Sequence, residues 1–222
     1  MTLQEIMEAL AAMGTERTKK IYMRQGAVEP LFGVATRAMK PLAKMHKNDQ
    51  GMAEALYDTG NYDAMYLAGM IADVKQMKPA DYERWMKKAY FPNISFFIIS
   101  VTLAESDYAQ EVADRFISDG DDLVMATGWS CYEWLLGNRK DDYFDKEKLQ
   151  GMLDVVEAEY ATSPRLTKRA MIGFLVAVGV SYIPLHEAAL LTAQKVDASA
   201  YESIQKETNK GRLGFKRKNV RC

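Results

Sequence analysis

Residues 55–68, ALYDTGNYDAMYLA, hold the pattern that decides the fold. Leu56 and Tyr57 belong to a short apolar helix, and Thr59-Gly60-Asn61 stops that helix because Gly and Asn favour chain reversals over helix interiors. A second helical pattern follows at once over residues 62–74. Two helices joined by a tight turn form a helix–turn–helix unit, which is the building block of an all-helical fold.

Nearly every other segment also repeats its apolar residues at helical spacing. Residues 94–104 have a strand-like composition, but eleven residues without an alternating polar face favour a buried helix. About a dozen helices, in pairs about 30–40 residues apart, predict an all-α fold and favour an α-solenoid of HEAT type. The alternative is a compact irregular bundle. Further helices are predicted over 16–25, from near Arg37 or Ala38, from Pro79 to Ala89, and over 107–117, 122–136, 146–160, 165–181, 185–195 and 200–207.

The composition is that of an ordinary soluble globular protein, with 222 residues, 48% apolar and 27% charged. The sequence contains no run of eighteen apolar residues, so no membrane span is predicted. The amphipathic N-terminus lacks the features of a secretory signal. Two cysteines predict no disulfide framework, so we expect a cytoplasmic protein. His46 and His186 stand far apart, and neither a metal site nor a cofactor is predicted. We expect a domain at 1–209 and a basic tail at 210–222.

Positive charge is concentrated towards both ends of the chain. Residues 210–222, KGRLGFKRKNVRC, carry six Lys or Arg and no acid, and residues 15–47 carry eight against Glu16 and Glu29. Such clusters bind polyanions by releasing counterions, although a solubilising terminus and solvated helix faces are the alternatives. The sequence predicts phosphate contacts at Arg17, Lys20, Arg24, Arg37, Lys40, Lys44, Arg165, Lys168, Arg169, Lys210, Arg212, Lys216, Arg217 and Lys218.

Two passages resemble a known family. Residues 33–40, GVATRAMK, are similar to the Gly-(Ile/Val)-x-Thr-Pro-x-x-Arg segment of AlkD-like DNA alkylation repair proteins. Residues 55–68 resemble the helix pair that follows it there, and the similarity in length and helical pattern covers most of the chain. The resemblance implies a right-handed α-α superhelix of HEAT-like helical repeats (an α-solenoid) whose concave, basic surface cradles double-stranded DNA. It also implies excision of cationic N-alkylated purines, such as N3-methyladenine.

The residues that would carry this excision differ from the family pattern. Active members use Trp-x-x-x-Asp, an Arg and a later Trp, and these positions fall here on Phe91, Ser95, near Thr127, and on Phe174. Two aromatic faces remain, but the carboxylate and the guanidinium are replaced. A neutral hydroxyl cannot stabilise a developing cation as a carboxylate does, and losing such a group costs about 10²–10³ in rate. The resemblance therefore leaves glycosylase activity in doubt.

A second aromatic group lies in residues 126–139. Trp129, Tyr132 and Glu133 share one helical face, where an aromatic pair beside a carboxylate would cradle a cationic base or a sugar. Ordinary core packing is the alternative. Glu133 is the candidate for a compensating carboxylate.

These observations predict a DNA-binding protein of the DNA alkylation repair type that holds duplex phosphates on a basic concave face and excises bases poorly or not at all. Two alternatives stay open. One is an active alkylpurine DNA glycosylase with a rearranged site drawn from Phe91, Trp129, Glu133 and Phe174. The other is a non-catalytic scaffold that binds protein partners in its concave face.

Overall fold

The computed structural model describes residues 1–214 and 216. Thirteen helices and no strand occur among those residues, so the prediction of an all-α chain is confirmed. In chain order they are α1 (Leu3–Met13), α2 (Glu16–Arg24), α3 (Thr36–Met45), α4 (Gln50–Asp58), α5 (Tyr62–Ile71), α6 (Pro79–Lys88), α7 (Pro92–Glu105), α8 (Ala109–Ile117), α9 (Asp122–Asn138), α10 (Lys146–Glu159), α11 (Arg165–Ser181), α12 (His186–Val196) and α13 (Ala198–Asn209).

Side-chain caps explain where many of these helices begin. The first backbone N–H groups of a helix have no partner inside it, and a preceding Asp, Asn or Thr side chain accepts from them. Such a cap precedes α1, α2, α4, α5, α9, α10 and α13, at Thr2, Thr15, Asp49, Asn61, Asp121, Asp145 and Asp197. These polar residues at the turns allow the starts of the helices to be predicted from the sequence.

Some predicted boundaries differ from the observed ones. The second helix of the opening pattern ends at Ile71, not at residue 74. The predicted buried helix at 94–104 is helical and buried except for Phe97, which is exposed, and its residues Ser95–Ile99 form a π-helical turn. The helix that contains Pro41 begins at Thr36, slightly earlier than predicted. Pro41 therefore lies in the second turn, where it has no N–H to donate to the Arg37 carbonyl.

The chain divides into two compact units, one from Met1 to Tyr108 and one formed by the described residues from Ala109 onward. In the N-terminal unit, the Tyr57 and Trp85 rings stack with centroids 4.1 Å apart. In the C-terminal unit, α9 packs mainly against α11, and the Trp129 and Phe174 rings lie 5.1 Å apart. The division into a domain at 1–209 and a basic tail stays a prediction.

Within residues 1–214 and 216, no single helix is both long and apolar enough to span a membrane. The helix Arg165–Ser181 and the following segment Ile183–Val196 reach that length and composition only together, with a bend of 111° between them.

Candidate nucleic-acid interface

Helix α2 differs from its neighbours because none of its nine residues is buried. Arg17, Lys20 and Arg24 are all exposed, and their spacing of three and four residues places them on one face. A helix normally gains its stability by burying one face against the rest of the protein. Lys19 and Tyr22 are half-buried on the opposite side of α2, so the face that carries Arg17, Lys20 and Arg24 is the one available to a partner outside this unit.

Helix α3 presents a second row of cations. Arg37, Lys40 and Lys44 are exposed at the same spacing, while the opposite face buries apolar side chains of the core, Met39, Leu42 and Ala43. Lys47, the last cation of the basic stretch at 15–47, lies beyond the end of α3 at Met45. We refer to Arg17, Lys20, Arg24, Arg37, Lys40 and Lys44 as the N-terminal cation rows.

The N-terminal cation rows carry no internal counter-charge. Within the part of the chain that the structure describes, none of the six forms an ion pair with a carboxylate. Elsewhere in the same unit, cations are neutralised, as in Arg84 with Glu54 and Lys88 with Asp58, each at 2.6 Å. Unpaired charges this close together repel one another, and a polyanion that binds them removes that repulsion.

The buried carboxylate of Asp63 holds the loop between α2 and α3. Asp63 is fully buried in the first turn of α5, and it accepts hydrogen bonds from three consecutive backbone N–H groups. The donors are Phe32 at 2.6 Å, Gly33 at 2.9 Å and Val34 at 2.8 Å. A buried carboxylate is stable only when it is paired in this way, and the N-terminal end of a helix favours its charge further.

The loop that Asp63 holds also fixes α2. Gly33 has a left-handed φ of +79°, and a Cβ atom at this position would lie 2.5 Å from the backbone nitrogen of Lys19. The Tyr22 hydroxyl donates to the Val34 carbonyl at 3.0 Å, and the Thr15 N–H donates to the Gly33 carbonyl at 3.0 Å. Asp63 therefore positions, through one loop, both the helix that carries the first cation row and the start of the second.

The predicted row of Arg165, Lys168 and Arg169 lies in the first turns of α11. The Asp122 carboxylate accepts from the N–H groups of Leu166 and Thr167, at 3.0 and 2.8 Å. Burial raises the pKa of Asp122, but these two bonds, the Thr167 hydroxyl and the charge of Arg165 outweigh it and hold that pKa below its usual value. The Lys168 ammonium donates to the Ala161 carbonyl at 2.8 Å.

The described cations of the C-terminal segment are partnered within their own unit. Lys210 and Arg212 both pair with Glu207, at 2.7 and 2.9 Å. Lys216 donates to carbonyls near the ends of two helices, Leu136 at 3.1 Å and Ser181 at 2.6 Å, and it pairs with Asp141 at 2.9 Å. These three cations are thus partnered, unlike the N-terminal cation rows. The predicted contacts at Arg217 and Lys218 lie outside the described residues.

Most of the weak catalytic candidates lie inside the packed cores. Phe91 and Ser95 are buried in the N-terminal unit, and Trp129 and Phe174 are buried in the C-terminal unit. Their side chains fill the cores of this structure and present no surface to a nucleotide. The Trp129 indole N–H is buried without a hydrogen-bond partner among the described residues, as in apolar packing. Thr127 is also buried, and it donates to the carbonyl of Leu123 at 2.6 Å.

Glu133 is the candidate that reaches a cavity. It lines a pocket of 720 Å³ in the C-terminal unit, with an apolar wall from α11 (Ile172, Val176, Ala177 and Val180). Gly173, in the same wall, leaves room for the Glu133 carboxylate, because an added Cβ would collide with it. In the described part of the chain, no group of three or more His, Cys, Asp or Glu side chains is arranged to hold a metal ion.

The chain is similar to a known protein family and to a solved structure. A protein-family model described as DNA alkylation repair enzyme matches residues 3–203. A solved structure described as "A new family of proteins related to the HEAT-like repeat DNA glycosylases with affinity for branched DNA structures" is 53% identical, with a TM-score of 0.96 over 100% of both chains. No curated protein matches this sequence. The predicted HEAT-like helical fold is therefore confirmed.

Proposed function

Since this chain belongs to the family of DNA alkylation repair enzymes, we propose that it binds DNA and prefers branched DNA over a linear duplex. In this proposal the N-terminal cation rows contact the phosphates of the duplex arms. The preference for branches is supported by the relative at 53% identity, which has affinity for branched DNA structures. Phosphate contacts fix register and orientation, but they carry no sequence information, so we expect recognition of DNA shape rather than of base sequence.

The observation that carries the proposal is the six exposed cations on α2 and α3 that have no carboxylate partner in the described residues. Each phosphate contact releases condensed counterions and contributes about 0.9 decade of affinity at about 0.1 M salt. A branch brings phosphates of more than one arm within reach of the same surface. One additional contact would therefore favour the branched form by about tenfold.

We further propose that the protein excises alkylated purines poorly or not at all. The family's carboxylate position falls on Ser95, which is neutral and buried in the π-helical turn of α7. The family's guanidinium position falls near Thr127, which is buried too. Each missing electrostatic group lowers the rate by about 10²–10³. Glu133 is the carboxylate that would have to compensate, from the pocket of the C-terminal unit.

The binding proposal is tested by measuring affinity for a fluorescently labelled four-way junction and for a linear duplex of the same arm sequence. At about 0.1 M salt we expect the dissociation constant of the junction to lie about tenfold below that of the duplex. Equal affinities would contradict the branch preference. Absence of binding to both at low salt would contradict DNA binding itself and would favour the protein-scaffold alternative.

The catalytic proposal is tested by measuring the release of methylated purines from alkylated DNA in single-turnover reactions. With protein in excess, and with a known alkylpurine glycosylase as positive control, we expect no release above the spontaneous rate. Release that the substitution Glu133→Gln abolishes would contradict this expectation and would identify a rearranged active site.

A further inference from the structure

Helix α2 places one large apolar side chain among its cations. Ile21 is 43% exposed, although isoleucine is usually buried in a protein core. At about 100° per residue, Arg17, Lys20, Ile21 and Arg24 fall within an arc of about 100° on the helix surface. Ile21 thus lies at one edge of this arc, next to the three cations, none of which has a carboxylate partner in the described residues.

We propose that Ile21 is an apolar wedge that packs against the base pairs exposed at a DNA branch point, while Arg17, Lys20 and Arg24 contact the phosphates around it. The inference rests on the proposed DNA-binding function and adds to it the residue that distinguishes branched from linear DNA. The cations identify the occupant, because an apolar side chain flanked by positive charge complements an apolar base face bordered by phosphates.

The discrimination follows from the cost of unstacking. An apolar side chain that enters a continuous duplex must separate two stacked base pairs, which costs a few kcal/mol per step. At a branch point the stack is already open to some degree, so a wedge gains contact area there without that full cost. Ile21 therefore adds to affinity for a junction and contributes little to affinity for a duplex, whereas the phosphate contacts strengthen both.

The chain offers a matched control on the same helix. Met23 is 46% exposed, similar to Ile21, but it lies about 60° beyond Lys20, outside the cationic arc, and about 160° around the helix from Ile21. Since neither side chain is buried, replacing either with alanine leaves the core intact, and far-ultraviolet circular dichroism should confirm the fold of both variants. The comparison of Ile21→Ala with Met23→Ala therefore separates the effect of the side chain's position from the effect of its hydrophobicity.

The test measures the dissociation constants of the full-length wild type, Ile21→Ala and Met23→Ala for the four-way junction and for the linear duplex. We expect Ile21→Ala to weaken junction binding about tenfold, from the loss of buried methyl groups, and to leave duplex binding unchanged. Met23→Ala should change neither constant. A 2-aminopurine at the branch point should change its fluorescence when the wild type binds, and not when Ile21→Ala binds.

Three results would overturn the wedge, and they are distinguishable. If the wild type binds both DNAs and Ile21→Ala keeps the wild-type ratio of the two constants, the wedge is wrong while the proposed function stands. If the wild type binds neither DNA at low salt, both are wrong, and the exposed face of α2 would instead be a surface for a protein partner. An equal loss for Met23→Ala would show a general hydrophobic effect and would also contradict the wedge.

Discussion

Replacing Asp63 with alanine is expected to lower the free energy of unfolding of the N-terminal unit by about 3–5 kcal/mol. The substitution leaves the N–H groups of Phe32, Gly33 and Val34 without their acceptor in a buried site. Asp63→Asn should be nearly as damaging, because an amide offers one oxygen acceptor and turns an NH₂ group towards the remaining donors. Chemical denaturation followed by intrinsic fluorescence measures the loss.

Asp58→Ala is the matched control for this prediction. Asp58 lies on the adjacent helix α4, where its exposed carboxylate pairs with Lys88, and such a surface pair contributes about 0–1 kcal/mol. Hydrogen exchange provides a local readout, since the amides of residues 32–34 should lose protection in Asp63→Ala and keep it in Asp58→Ala. A loss of less than about 1 kcal/mol in Asp63→Ala would contradict the anchoring role of this carboxylate.

Replacing the α3 cation row with glutamine, as Arg37→Gln, Lys40→Gln and Lys44→Gln together, is expected to weaken DNA binding by two to three orders of magnitude at about 0.1 M salt. Three phosphate contacts are lost, each contributing about 0.9 decade. The junction and the duplex should be affected alike, because the phosphates of both carry the same charge. Stability should change little, since all three side chains are exposed and unpaired in the described structure.

A second triple variant with the same change of net charge is the control. Lys75, Lys87 and Lys146 are exposed, form no ion pair within the described residues and lie outside the N-terminal cation rows. Replacing these three with glutamine should weaken binding by less than about tenfold, through the long-range field alone. Equal losses in the two triple variants would show that total charge, and not the α3 row, determines affinity.

Much of the fold was predictable because helical period and turn residues are local signals. The helix pair around Thr59-Gly60-Asn61 occurs as predicted, and the Asn61 side chain caps the second helix. The same passage and residues 33–40 carried the family resemblance. The two passages are in fact joined, since Asp63 of one binds the N–H groups of Gly33 and Val34 of the other. An acid inside an apolar helix was the signal for this contact, but its partners are about thirty residues away and depend on tertiary structure.

The surroundings of a helix face were less predictable than the helix itself. Trp129, Tyr132 and Glu133 share a face as predicted, yet both aromatic residues are buried and Glu133 reaches the pocket. Helical periodicity shows which residues share a face, but it does not show whether that face packs in the core or lines a cavity. In the same way, composition marks residues 210–222 as a cationic segment. It does not show that Glu207 and helix-end carbonyls partner Lys210, Arg212 and Lys216.

The central claim is that unpaired cations of the N-terminal unit bind DNA phosphates, and the salt dependence of junction affinity tests it most directly. Six phosphate contacts predict that log K falls against log salt with a slope of about −5 between about 0.05 and 0.2 M. The α3 triple variant loses three of the six contacts and should halve that slope, to about −2.7. A wild-type slope flatter than about −1, or the same slope in both proteins, would contradict the account.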